Sequence, residues 1–386
     1  MLKIIKKMKV AILHEMLIKL GGAEKVVENF VNLFPDAPIF TLIYDENKCS
    51  KIFPKEKISN QVWKTKTQKV YNIFKKQRLC LPFMAKSIES FDFSEFDLVI
   101  CSSSGFAHGA ITKPETKFVV YCHSPARYMW DWTNEYKRDL GLFSGWKKYF
   151  LKPFIENTFF KNRQWDFLAS QRSDLIIANS KNTQKRIQKY YKRDSVILYP
   201  PVETERFGKI LEKNDFQKPF EKYYIIISAL TEFKKIEIAI LGFNKLDENL
   251  LIIGAGDFRE NLEKMIKKEN IKFAGAKYGD ELVFLVQNSL GLIFPGEEDF
   301  GIVPVEVMAA GKPVFAYKGG GLLETNIENI TGSFFEDKFG EDFIEKFKVF
   351  HKNNLEKKYL PENCINQAKK FSKEIFEKQF LELIGK

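Results

Sequence analysis

At 386 residues, with 45% hydrophobic and 29% charged residues, the chain exceeds what one hydrophobic core usually organises. Its composition is that of a globular protein, which excludes disordered and fibrous classes. The net charge of +11 invites a nucleic-acid reading, no apolar run is long enough to span a bilayer, and the apolar part of the basic opening is too short for a secretion signal.

Taken in chain order, residues 10–13 (VAIL) predict a short buried strand, followed by a loop and an amphipathic helix over 23–33. Gly21 and Gly22 stand just ahead of that helix, where missing side chains leave backbone N–H groups and the helix dipole open to an anion. An ordinary tight turn uses the same pair. A second strand is expected at 39–43. Residues 51–86 then hold ten basic side chains against the single acid Glu56, so the positive excess is local. Phe53, Trp63, Tyr71, Phe74 and Phe83 interleave with these charges, a mixture suited to anionic headgroups with rings at the interface. Lys75, Lys76 and Arg78 are the charges placed against a membrane or acceptor; the competing reading packs the rings into a core. Strands follow at 98–101, 118–122 and 175–178. Between the last two, residues 136–165 repeat the aromatic–basic mixture with Trp146, Tyr149, Phe150, Phe154, Phe159 and Phe160 beside Lys147, Lys148, Lys152, Lys161 and Arg163.

The prolines of YPPV, residues 199–202, cannot continue a central strand or a helix, so a linker is placed there. The same rhythm restarts with strands at 224–228, 250–253, 271–273, 290–294 and 313–316 and helices at 237–244 and 260–269. An amphipathic run at 371–383 closes the chain. Two βα arrays in series predict an α/β protein of two doubly wound, Rossmann-like domains facing across a cleft. The boundaries are 1–202, 203–370 and 371–386, the last a closing helix that packs back toward the first domain. Cys49, Cys80, Cys101, Cys122 and Cys364 are odd in number, far apart and free of any CxxC pair, which favours reduced thiols in a cytoplasm and disfavours zinc.

Residues 294–314, FPGEEDFGIVPVEVMAAGKPV, carry the most chemistry. A buried strand ends at Phe294, a loop holds Glu297, Glu298, Asp299 and Gly301, and a helix begins near Pro304 and ends at Gly311. Glu298 and Glu306 have seven residues between them, one in the loop and one on the helix. That spacing lets one carboxylate meet sugar hydroxyls and the other a ribose, while amides at the helix start remain for an anion. A carboxylate near a helix N-terminus also favours the dipole with no ligand at all.

This stretch resembles the signature of the family 4 retaining glycosyltransferases, which have the two-Rossmann B-type fold. Glu298, Phe300, Gly301, Glu306, Met308, Ala309, Gly311, Pro313 and Val314 match it at fixed spacing. The resemblance implies that Glu298 contacts donor-sugar hydroxyls, that Glu306 binds the nucleotide ribose, and that the backbone of Phe300, Gly301, Ile302 and Val303 faces sugar and diphosphate. YCHSPARYMWD, residues 121–131, looks like the segment that brings an active-site histidine forward, here His123, with Arg127 and Tyr128 as further acceptor or donor contacts. SALTEFKKIEIAI, residues 228–240, looks like the motif supplying Arg and Lys to the diphosphate. The arginine position holds Ala229, leaving Lys234, with Lys235 as the adjacent candidate for compensation. Gly254 belongs to a strand-end glycine turn, and Gly275 and Lys277 to the segment facing the base. His14 and His108 are read mainly as structural.

The implied reaction moves a hexose, with mannose from GDP-mannose as first choice, to a lipid-linked glycan or lipopolysaccharide-type acceptor, and the first domain binds that acceptor. The overall look resembles bacterial mannosyltransferases of surface-polysaccharide assembly. No Asp-x-Asp motif stands where a metal is expected, so the nucleotide diphosphate sugar is a co-substrate and no metal or other cofactor is implied. The partners are then the donor, the glycolipid acceptor and an anionic membrane at the inner face of the cytoplasmic membrane, with no nucleic acid. A nucleotide-sugar epimerase is the nearest enzymatic rival, and a basic membrane- or nucleic-acid-binding protein the non-enzymatic one. A dinucleotide oxidoreductase lacks its full GxGxxG here.

Overall fold

Short runs of buried aliphatic residues, too apolar to leave either face in water, form the strands of two parallel sheets. The computed structural model describes residues 8–139, 149, 152–209, 211 and 216–385. By its internal contacts the chain divides into two units, Met1–Tyr199 with Glu377–Lys386, and Pro200–Phe376.

The first unit contains β1 (Val10–Leu17), α1 (Gly22–Leu33), β2 (Ile39–Tyr44), α2 (Lys66–Phe74), α3 (Leu81–Glu89), β3 (Leu98–Ser103), β4 (Lys117–Cys122), α4 (Lys152–Ser170), β5 (Leu175–Ala178), α5 (Lys181–Tyr191) and β6 (Val196–Ile197). All its strands run parallel, in the order β2-β1-β3-β4-β5-β6. β1 runs past the expected end at Leu13, pairing with β2 as far as Leu17 against Tyr44. His14 and Glu15 looked like a strand end because they are polar. Both are buried within the strand, where side-chain and backbone groups satisfy them.

The second unit contains β7 (Tyr224–Ile227), α6 (Ile236–Phe243), β8 (Leu250–Ile253), β9 (Ile271–Gly275), α7 (Gly279–Gln287), β10 (Leu292–Phe294), α8 (Ile302–Ala309), β11 (Val314–Tyr317), β12 (Gly332–Phe335), α9 (Phe343–Leu355) and α10 (Pro361–Lys369). Its sheet is parallel in the order β12-β11-β10-β7-β8-β9. One face is filled largely by aromatic rings: Phe315 stacks on Phe350 at 5.2 Å between centroids, and Phe243 meets Phe347 at 5.0 Å. α11 (Lys373–Ile384) ends the chain, and its residues from Glu377 onward belong to the first unit. There Phe380 meets Phe30 of α1 at 4.7 Å, and the Lys117 ammonium donates to the Ile384 carbonyl at 3.0 Å.

Two expectations need correction. The helix expected over 260–269 is only Arg259–Glu263, because the Asn244 side chain holds the backbone beyond it, donating to the Met265 carbonyl and accepting from the Lys267 amide, each at 2.8 Å. The aromatic residues of 51–86 do not form a single interfacial face: Phe53 and Tyr71 are core residues, while Ile73 and Phe74 at the end of α2 are exposed, at 74% and 55%. In the second mixed stretch Phe159 is buried, whereas Tyr149, Phe154 and Phe160 are exposed. Trp146, Lys147, Lys148 and Phe150 lie outside the described residues. Among the described residues no helix is long and apolar enough to cross a membrane, and all five cysteines are buried and unpaired.

Candidate functional site

In the second unit the site grows from the loop between β10 and α8. Gly301 caps α8 at φ +88°, a left-handed conformation in which side chains are strained. The helix therefore begins at Ile302, earlier than expected, with Pro304 third in it. The first helical N–H groups have no acceptor inside the helix. Glu306 falls in the second turn and is buried. The Lys234 ammonium forms an ion pair with Glu298, which joins the turn before α6 to this loop.

Glycines make that approach feasible, and the sequence did not single them out. A Cβ on Gly296 would lie 2.8 Å from the Lys234 carbonyl oxygen, and one on Gly320 would overlap the Glu298 carbonyl. The Gly321 amide donates to that same Glu298 carbonyl at 2.8 Å. The signal available was the triplet Gly319, Gly320 and Gly321, one residue after β11.

Gly254 follows β8 at φ +147°, where a Cβ would overlap the Ser228 carbonyl. Its amide donates to the Gly275 carbonyl at 2.9 Å, so this glycine shapes the turn and does not offer a free N–H. Gly275 sits at φ +71° with open space beside it, and Lys277 pairs with Glu281 at 2.6 Å. Lys235, the candidate to replace the missing arginine, lies 3.4 Å from Glu237, and Ala229 is exposed.

In the first unit the sheet register assembles a second cluster. His14 of β1 pairs with Ser102 of β3, and Ser102 with Tyr121 of β4. His123, two residues beyond Tyr121, returns to the same face. Its backbone is fixed at both ends, its amide donating to the Ser103 carbonyl at 2.8 Å and its carbonyl accepting from the Thr183 hydroxyl at 3.1 Å. Its Nε2 is 2.7 Å from the Ser102 hydroxyl, which is 3.0 Å from His14 Nδ1. Burial, then repulsion from His14, push His123 down to about 3, opposed by Glu24, so the ring is neutral at physiological pH. Ser102 and Glu24 were not singled out from the sequence and His14 was read as mainly structural, because their link to His123 depends on strand order.

The Gly21 amide, expected to face an anion, instead donates to Glu24 Oε2 at 2.9 Å. Gly22 is already the first residue of α1. Glu24, three residues into the helix turn, reaches back as in a capping box and satisfies that N–H internally.

A deeper network lies on the other face of β1. Glu15 accepts from the amides of Phe106 and Ala107, the latter at 3.1 Å. His108 places Nδ1 3.2 Å from the Ser103 hydroxyl and Nε2 3.4 Å from Asp166 Oδ1, and Asp166 accepts from the Trp130 indole N–H at 2.7 Å. Burial raises Asp166 to about 7, against the lowering effect of Trp130 and Tyr191, and burial lowers His108 to about 4. Between about pH 4 and 7 both groups are thus mostly uncharged, Asp166 protonated and His108 not, and His108 sits inside a buried network.

The 121–131 segment is held by the same surroundings. Arg186 forms an ion pair with Asp131 and donates to the Ser124 hydroxyl at 3.0 Å. Arg127 stacks on Trp132 at 4.0 Å, and Tyr128 packs with Tyr136 and Phe159, so both have packing roles within this unit. At the end of α2, Lys75 adopts the left-handed conformation over the Tyr71 ring and Arg78 lies 5.7 Å from the Tyr136 ring; Lys76 follows Lys75 directly. Among the described residues no group of three or more His, Cys, Asp or Glu is placed to hold a metal ion.

Residues 20–206 match the family described as Glycosyltransferase Family 4, and residues 209–371 that described as Glycosyl transferases group 1. An uncharacterised glycosyltransferase of Methanocaldococcus jannaschii is 30% identical over 55% of this chain, the match spanning 59% of that protein. The alpha-1,3/1,6-mannosyltransferase of Mus musculus is 24% identical over 95% of this chain and 94% of its own length. Among solved structures, an Anabaena protein in complex with UDP and glucose superposes with a TM-score of 0.70 at 16% identity, covering 98% of this chain and 99% of its own. The sucrose-phosphate synthase of Thermosynechococcus elongatus reaches 0.71 at 14% identity, covering 97% and 98%. Both likenesses are of fold, two α/β units each built on a parallel sheet.

Proposed function

Because the chain belongs to the family 4 glycosyltransferases, and its fold is theirs, we propose that it transfers a mannose residue from GDP-mannose to a lipid-linked glycan, using the Lys234–Glu298 site for the donor. The observation that carries this reading is that pair, set beside the amide-bearing start of α8 with Glu306 in its second turn. Breaking the bond from the anomeric carbon to diphosphate leaves negative charge on phosphate and positive charge on the sugar. Lys234 and the amides of Ile302 and Val303 answer the first; Glu298 accepts from sugar hydroxyls and steadies the second. Glu306 binds the ribose. Bound donor thus replaces each partner of the ion pair with its own, diphosphate on Lys234 and hydroxyls on Glu298. These residues supply the charge without a metal ion. His123 meets the sugar or the incoming acceptor.

Mannose is supported by the names of the mannosyltransferase relatives, which align over most of the chain. The neighbouring structure solved with UDP and glucose supports a UDP-glucose reading instead. Thermal stabilisation and turnover measured with GDP-mannose and UDP-glucose side by side decide between them. A lipid acceptor and peripheral attachment at a membrane fit Ile73, Phe74 and Leu79, apolar and exposed among Lys75, Lys76 and Arg78. Glu298→Gln is expected to lower kcat/KM about a hundredfold, the scale of one hydrogen bond to a charged group, with the circular dichroism spectrum unchanged. Full turnover by that variant removes Glu298 from the mechanism.

A further inference from the structure

The hydrogen bonds around His123 determine which of its nitrogens carries the ring proton. His14 Nδ1 lies 3.2 Å from the Ser102 backbone carbonyl, a group that can only accept. That nitrogen therefore bears hydrogen. The same N–H is 3.0 Å from the Ser102 hydroxyl oxygen, which accepts from it. The hydroxyl's own hydrogen is left for its other neighbour, His123 Nε2, at 2.7 Å. A ring nitrogen that accepts is bare, so neutral His123 carries its hydrogen on Nδ1.

The chain extends one group further back. Glu24 Oε1 is 3.7 Å from His14 Nε2, and its Oε2 is anchored on the Gly21 amide. The Glu24 carboxylate borders the His14 ring on the side away from Ser102, so Nδ1 stays the nitrogen directed at Ser102. Ser102 is fully buried and His14 nearly so, so water does not compete for these bonds.

We propose that Glu24, His14 and Ser102 are positioning residues that lock His123 in its Nδ1–H tautomer, so that His123 serves the substrate as a hydrogen-bond donor to a sugar oxygen and not as a proton acceptor. The proposal rests on the reading of His123 as a substrate contact. It commits that contact to a direction: the partner atom is an oxygen lone pair, and His123 takes no proton from the acceptor hydroxyl.

The test is 15N NMR of histidine-labelled full-length protein, which is tractable because the chain has four histidines. The His123 signals are assigned by their loss in His123→Gln. In the native chain Nε2 is expected at the position of a bare nitrogen and Nδ1 at that of a protonated one. Ser102→Ala is expected to mix the tautomers and to lower kcat about tenfold, the upper range of one net hydrogen bond, with KM little changed. His14→Asn, whose amide can offer an N–H where Nδ1 stood, is expected to keep the native tautomer, and His14→Leu to lose it. A protonated Nε2 in the native chain, or an unaltered tautomer in Ser102→Ala, overturns the positioning chain. A native spectrum as expected combined with full activity in His123→Gln leaves the chain in place and refutes the substrate contact instead.

Discussion

Replacing Asp166 by Asn should reshape the pH dependence of stability of the first unit, and the direction follows from two buried groups that oppose each other. Asp166 stands at about 7 against an ordinary 3.8, and His108 at about 4 against an ordinary 6.5. The raised carboxyl contributes stability at low pH that is lost as pH rises from 3.8 through 7. The depressed imidazole contributes stability above 6.5 that is lost as pH falls toward 4. With one unit worth about 1.4 kcal/mol, the swings are about 4 kcal/mol for Asp166 and about 3 kcal/mol for His108. Between pH 4 and 6.5 they run against each other, and these two groups together leave the native chain nearly flat. Asp166→Asn removes the first swing, so its stability relative to the native chain should rise by about 4 kcal/mol from acid to neutral pH. His108→Gln should show the opposite slope, gaining about 3 kcal/mol relative to the native chain as pH falls. Urea unfolding followed by tryptophan fluorescence measures this cleanly, because Trp63, Trp130, Trp132, Trp146 and Trp165 all belong to the first unit. Difference curves that are flat with pH, or that slope the same way for both variants, refute the neutral-pair reasoning.

Two other perturbations test other parts of the molecule. Gly254→Ala forces a Cβ onto the Ser228 carbonyl at a backbone angle that only glycine tolerates easily; the second unit should lose about 2–4 kcal/mol, and an unchanged thermal melt would deny the turn its tight packing. Reversing Lys75, Lys76 and Arg78 to Glu should weaken binding to phosphatidylserine-containing vesicles at least about a hundredfold at low salt, at about 1 kcal/mol per charge, while Phe74→Ser should weaken it without altering the melt; sedimentation with vesicles that shows no change in either variant removes the membrane surface.

The pattern of strands was legible because parallel strands buried on both faces read as unbroken aliphatic runs, and 175–178 and 250–253 were placed to the residue. β6 and β12 were not foreseen: one is two residues long, and the other begins at Gly332, whose missing side chain lets it approach Val314. Glu298 and Glu306 stood out because local spacing puts them on one loop and the helix after it, and Lys234 because its segment resembles a family motif. The links from Glu24 through His14 and Ser102 to His123 did not, since they join residues of two strands, a helix and the residue just past a third strand, which only the sheet order brings side by side. Gly21 misled for a local reason, as nothing in a Gly-Gly pair announces that the glutamate three residues on will take its amide.

The hydrophobic interior around α1 has a consequence for biogenesis. Phe380 lies against Phe30, and Ile384 is tied to Lys117, although all of the other unit, Pro200–Phe376, intervenes in the chain. As the polypeptide leaves the ribosome, the amino-terminal half emerges without the piece that seals it, whereas the later half is complete once Phe376 is out. The domain made first is therefore the one finished last, and an amino-terminal fragment expressed alone is expected to need its missing tail supplied as a separate peptide.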